Sequence, residues 1–249
     1  MIIGCTRMSP HVTGLVLLWA LLPWTQPSPA TCAATAQALL TAAADEALTG
    51  EFAAVAAQLR GSYVAHDTCR ELVVAAWAWD GWQAAEAAAA RGGSEESLAA
   101  VRTALASLGP SGPTASHGAY AAAVLRAAAA AAQDERDEMR VWLEHARDLA
   151  ARLALTGDRA RWPLPIDLVD GELWARVDDH ELAEASYTRA LAERDSAAAW
   201  RGLARARNGR GNRDGACAAY RKAREWAGPA HATGLIAAEA RGYLLICDR

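Results

Sequence analysis

The sequence predicts an all-α chain of stacked antiparallel helical hairpins, and three observations carry that prediction. Alanine, leucine, arginine and glutamate dominate residues 31–249, and these are strong helix formers. Runs of strand formers are almost absent; YLLI at Tyr243–Ile246 is too short to build a sheet. Glycines and prolines cut the chain into helix-sized lengths with short connections, which makes successive helices antiparallel neighbours.

The first thirty residues stand apart from the fold. Arg7 and His11 lie in a polar start, and Val12–Trp24 forms an apolar run too short to span a bilayer comfortably. Ser28 and Ala30 then supply the small residues of a cleavage site, so residues 1–30 are expected to be a secretory signal peptide. An uncleaved membrane anchor is the alternative. A lipoprotein fits less well, because Pro29-Ala30-Thr31 before Cys32 lacks the usual leucine and small-residue pattern. Cleavage leaves about 219 residues, enough for one core or one repeat array, with no membrane insertion expected.

Helices are expected near 33–48, 51–61, 67–91, 95–108, 115–132, 135–156, 166–177, 180–193, 197–208, 213–226 and 231–246. Their breaks fall at Gly50, Gly61, Gly92-Gly93, Gly109 to Pro113, Gly157, Trp162 to Pro165, Gly209 to Gly211, and Gly228-Pro229. These group as divergent hairpins over 31–110, a long hairpin over 114–163, two similar hairpins over 164–230, and a closing helix over 231–249. In AWAWDGWQAA, Ala76 to Ala85, Trp79 and Trp82 share one side of a helix and Trp77 points to the other. Bulky apolar groups on two faces mean a helix packed between neighbours. Trp77 is expected in the core. Trp79 and Trp82 are either core or a part-exposed aromatic patch, core being favoured because soluble chains seldom expose large apolar areas.

The C-terminal third repeats with a period of about 33 residues. Trp200, Leu203 and Ala204 form a stripe on one helix, and Ala216, Tyr220 and Ala223 form one on the next. Upstream, Gly171 and Trp174 pair with Ala183, Tyr187, Ala190 and Leu191. These residues resemble the tetratricopeptide repeat pattern W-x-x-L-G-x-x-Y, then A-x-x-x-F, then P. The last copy departs from it at Ala204, at Arg207 and at Pro229. The copy before it has Asp167 and Asp170 in place of the opening tryptophan and leucine. A fainter copy covers about 78–110 (Ala85, Gly92, Val101, Ala104, Leu105), and Gly50 to Phe52 looks like the turn of another. The resemblance implies an α-solenoid with a concave, peptide-binding groove. The helix at 231–246 would be the polar-faced cap such arrays need.

Cysteine usage fits export. Cys32, Cys69, Cys217 and Cys247 remain after cleavage, and four cysteines allow three pairings. The helix order favours Cys32–Cys69, at the starts of parallel inner helices. It also favours Cys217–Cys247, at the start of one helix and the end of its antiparallel neighbour.

No catalytic constellation emerges, and neither metal nor cofactor is expected. HELAE, His180 to Glu184, lacks the second histidine of a zinc motif. GRGNRDG, Gly209 to Gly215, follows a helix and has no phosphate-binding lysine-serine pair, so it reads as an inter-helix turn. The net charge of −4 gives no nucleic-acid signature. Residues 194–224 are nevertheless basic. Arg201, Arg205 and Asn208 stand at i, i+4, i+7, beside the Trp200 stripe; by the resemblance this position lines the groove. Two arginines there favour acidic or C-terminal carboxylate ligands. The competing reading is internal neutralisation, with Glu172 on the equivalent upstream stripe pairing with Arg201 or Arg205. Trp79 and Trp82 would occupy the same inner stripe further upstream. The expectation is an exported periplasmic or extracellular scaffold that binds a protein or peptide and has no catalysis of its own. The rival is an envelope enzyme, for example a cell-wall-acting one, with its site assembled on an α-solenoid.

Overall fold

A computed structural model describes residues 70–108, 117–155, 164–228 and 234–247. The expected signal segment, the helices at 33–48 and 51–61, and the Cys32–Cys69 pair lie outside these residues. Among the described residues every regular element is a helix. In order these are α1 (Arg70–Ala90), α2 (Ala99–Leu108), α3 (His117–Ala132), α4 (Arg136–Leu155) and α5 (Ile166–Arg176). Then come α6 (His180–Glu193), α7 (Ala197–Gly209), α8 (Arg213–Ala227) and α9 (Leu235–Cys247).

Side-chain caps set three of the boundaries. Asp179 accepts from the Leu182 amide, Ser196 from the Ala199 amide, and Asn212 from the Gly215 amide, each satisfying a donor the helix start leaves free. Within Gly209 to Gly215 the turn is therefore Arg210 to Asn212, between the end of α7 and the capped start of α8. One boundary difference is α2, expected from 95 and beginning at Ala99. Ser94 and Ser97 hydrogen-bond to each other through side chain and backbone, holding Ser94–Leu98 in turns.

Each helix packs against its chain neighbour, and alternate helices also touch: α1 with α3, α3 with α5, α5 with α7, and α7 with α9. One hydrophobic core runs through all of them, from Ala76 to Leu244. The helix α3 is enclosed by α1, α2, α4 and α5. Its run of alanines buries on nearly every side because nothing longer than a methyl group holds its neighbours away. Gly81 serves the same end. A Cβ there would stand 2.5 Å from Leu125 Cδ1 and 2.9 Å from the Ala104 Cβ, so α1 meets both α3 and α2 through it.

The tryptophan cluster resolves in the opposite sense to one expectation. Trp79 and Trp82 are interior, at 0% and 2% exposure, so they are core residues and not a groove-lining patch. Trp77 is the half-buried one, packed against the core edge. The side facing α2 and α3 holds the larger load because α1 has two neighbours there.

The last helix also departs from expectation. Cys217 and Cys247 are joined, with their Cα atoms 5.9 Å apart, so the start of α8 is level with the end of α9 and the two run antiparallel. The inner side of α9 buries Ile236, Ala237, Ala240 and Leu244. Its outer side carries Leu235, Ala238, Arg241, Gly242 and Leu245, all exposed, a mixed face where a polar cap was expected. No described helix is long and apolar enough to cross a membrane.

Candidate ligand groove

The alternate helices carry a row of ion pairs. Arg176 on α5 reaches Glu86 on α1, past α3, which lies between them. Arg201 on α7 faces Glu172 on α5 at 3.7 Å. Arg205 makes a two-pronged contact with Glu239 on α9, Nε and one Nη each donating at 2.6 Å. The planar fork of arginine matches a carboxylate in this way, and such pairs are the strong ones. Each contact therefore ties one helix of the alternate series to another.

Arg201, Arg205, Asn208 and Glu172 thus come together, each already engaged by a neighbour. The Tyr220 hydroxyl donates to Glu239 at 2.8 Å, and the Tyr243 hydroxyl donates to Asn208 Oδ1 at 2.6 Å. The rings of Tyr220 and Tyr243 lie 4.5 Å apart. Arg201 is 8% exposed, unlike the surface residue its stripe suggested. The reason is that α7 touches α5, α6, α8 and α9 and has little free circumference. Its Nε is buried without a hydrogen-bond partner. Arg205 and Asn208 remain exposed.

Burial and ion pairing oppose each other along this row. About half of the Glu86 side chain is open to solvent (49%), yet desolvation pushes its carboxyl pKa above the usual range. Arg176 opposes that rise without overcoming it. At Glu239, desolvation also pushes the pKa up, but the Arg205 guanidinium outweighs it and holds the carboxyl low. Desolvation likewise opposes the Arg205 charge, and Glu239 restores it. Burial and the hydrogen bond to Glu172 drive the Tyr187 hydroxyl upward, keeping it a neutral donor.

Three members of this row were not singled out from sequence: Glu86, Arg176 and Glu239. Glu239 left a usable signal, being the single acid on α9. Glu86 and Arg176 left none, since their meeting depends on α3 being thin enough to reach across.

A second ionic centre joins α4, α5 and α6. Asp170, 4% exposed, accepts from Arg147 and Arg189 at 2.7 Å, from the Ser186 hydroxyl at 2.9 Å and from the Trp174 indole at 3.1 Å. Arg189 also reaches Asp167 at 2.8 Å. The two aspartates that broke the repeat pattern are therefore the anchor of a three-helix junction. HELAE is structural as well: Glu184 takes Arg207 at 2.9 Å and Arg210 at 2.7 Å. Desolvation raises the Glu184 pKa, but those arginines prevail and lower it. Among the described residues no group of histidines, cysteines and acids could hold a metal ion.

No protein-family model matches this chain, and no curated protein or solved structure matches it.

Proposed function

We propose that the chain is an exported, non-catalytic helical-repeat scaffold of tetratricopeptide-like hairpins. A protein or peptide partner lies along the surface formed by the alternate helices α1, α3, α5, α7 and α9. The observation that carries this reading is the row of ion pairs Arg176–Glu86, Arg201–Glu172 and Arg205–Glu239, which sets charged side chains along the alternate helices. Stacked hairpins whose alternate helices adjoin produce such a surface along their length. The Cys217–Cys247 bond is compatible with an oxidising compartment.

Each groove arginine already holds a carboxylate. An acidic ligand therefore binds by exchange, displacing Glu172 from Arg201 or Glu239 from Arg205. Arg201 is the more loosely held of the two. The test is selection from a library of extended peptides against the purified chain, followed by titration. The reading expects discrete binders whose affinity falls at least about tenfold on Asn208→Ala or Arg205→Ala. An empty selection, together with turnover of peptidoglycan by the same preparation, would instead establish the enzyme reading.

A further inference from the structure

The helix α9 supplies the occupants of the two exposed groove positions on α7. Its Glu239 takes the Arg205 guanidinium in the forked contact, and its Tyr243 hydroxyl donates to Asn208 Oδ1. Arg205 and Asn208 are the residues with which the groove is proposed to hold an acidic ligand. A carboxylate and a hydrogen-bonding side chain about one helical turn further on are what such a ligand would offer there. The helix therefore fills the ligand's place from within the chain.

What keeps α9 there is concentrated at its end. Ile236, Ala237, Ala240 and Leu244 bury against the core, two of the four being alanines. The last turn, however, faces the α7–α8 turn across a cleft of about 550 Å³ lined by Asn208, Gly211, Arg213, Tyr243 and Ile246. Around that cleft the helix is held by point contacts: Tyr243 to Asn208, Arg213 to the Ile246 carbonyl, and the Cys217–Cys247 bond. Of these, only the disulfide cannot be exchanged for water. While it is closed, any other carboxylate competes for Arg205 with an intramolecular one at high effective concentration.

We infer that α9 is a redox latch on the groove: the closed Cys217–Cys247 bond keeps Arg205 and Asn208 occupied from within, and its reduction uncovers them for an acidic ligand. As to the ligand this rests on the proposed scaffold function; as to the latch it rests on contacts within the chain alone. Cys217 is buried and Cys247 only partly so, which directs a dithiol reductant to Cys247. One thiolate of the reductant bonds to Cys247 Sγ as the S–S bond breaks, and Cys217 leaves as a thiolate that takes up a proton. The second thiol then displaces Cys247 and closes the reductant's own disulfide. Two electrons and two protons pass to the chain. The opening of α9 then works against four apolar side chains and exchangeable polar contacts, without a covalent tie.

Phenylglyoxal labelling of the full chain, oxidised or treated with dithiothreitol, tests the latch through the rate of Arg205 modification. A guanidinium locked on a carboxylate reacts slowly, so reduction should speed Arg205 labelling at least about tenfold. Glu239→Gln should label fast with the bond closed. The Cys217→Ser/Cys247→Ser double variant should label fast without reductant, which separates this bond from any other cysteine. Amide exchange in α5 and α6 should stay unchanged, showing that the array remains folded. Loss of that protection, equal rates in the two redox states, or slow labelling of either variant would each overturn the latch. Calorimetry with a tetraglutamate peptide then reads the groove: affinity should rise at least about tenfold on reduction and vanish in Arg205→Ala. Tetraglutamate binding indifferent to reduction would also overturn the latch. Faster labelling with no tetraglutamate binding in any form would support the latch and overturn the scaffold reading of the groove instead.

Discussion

The Tyr187 ring fills the space that a side chain on Gly202 would need. A Cβ at residue 202 would lie 2.2 Å from both Cε1 and Cζ of Tyr187, and one at Gly171 would lie 2.7 Å from Cε1. Tyr187 on α6 is thus pressed between α5 and α7, joining one hairpin to the next. Gly202→Ala should cost about 1–3 kcal/mol, because the enclosed ring has nowhere to move. In a Tyr187→Ala background the sign should reverse, as alanine is about 1 kcal/mol better than glycine inside a helix. Chemical denaturation of the four proteins in the cycle measures this coupling. Additive effects would mean that the ring is not the obstacle.

Arg201 and Arg205 should separate in their effects on stability. Arg201→Ala leaves Glu172 without its cation and opens space in the core, and should cost about 2–4 kcal/mol. Arg205→Ala removes a half-exposed ion pair whose forked geometry puts it at the upper end of the roughly 0–1 kcal/mol such pairs contribute. Melting temperatures of the two single variants decide the matter. Similar losses would show that Arg201 is more solvated than its 8% exposure implies.

Asp170→Asn should be costly although the two side chains are nearly isosteric. The amide cannot accept from Arg147, Arg189, Ser186 and Trp174 as the carboxylate does, and it must find acceptors for its own N–H groups. A loss of about 2–3 kcal/mol is expected, limited by the half-exposed arginines turning to water. Urea titration reads this directly, and a loss under about 0.5 kcal/mol would demote the junction to surface decoration.

Peptide mapping without reduction should recover Cys217 linked to Cys247. The bond closes a 30-residue separation, so its loss should destabilise the chain by about 3–4 kcal/mol. Cys247→Ser should show that loss chiefly as faster amide exchange in α9, which is otherwise tied mainly to α8. Recovery of Cys69 linked to Cys217 would contradict the helix order.

Acid should weaken the fold partly through Glu239 and Glu184. Both carboxyls are held below their ordinary range in the folded chain, so the unfolded chain takes up protons first as pH falls. Their contribution is fully present above the ordinary carboxyl pKa of about 4.3 and is lost as pH drops through the folded values. Glu86 acts oppositely: its raised pKa favours the folded state below the ordinary value, and that advantage fades as pH climbs through the raised one. Melting temperature against pH should therefore fall less steeply below about pH 4.5 in Glu239→Gln than in the parent. An unchanged slope would show that the Arg205 contact does not hold the carboxyl low.

Local physics settled most of what the sequence revealed. Helix class, the turns at Gly92-Gly93 and Gly211, and the capped starts at Asp179, Ser196 and Asn212 depend on backbone preferences acting over a few residues. The Cys217–Cys247 pair was legible because an antiparallel hairpin fixes which ends are level. Tertiary packing decided the rest. Periodicity separates two sides of a helix but cannot say how many neighbours each side has, so it expected Trp77 in the core where it is only partly buried, while Trp79 and Trp82 are core as favoured. It also left Arg201 on an apparent surface that α5 covers. The Arg176–Glu86 contact joins residues 90 apart in the chain, and no local rule reaches across α3 to find it.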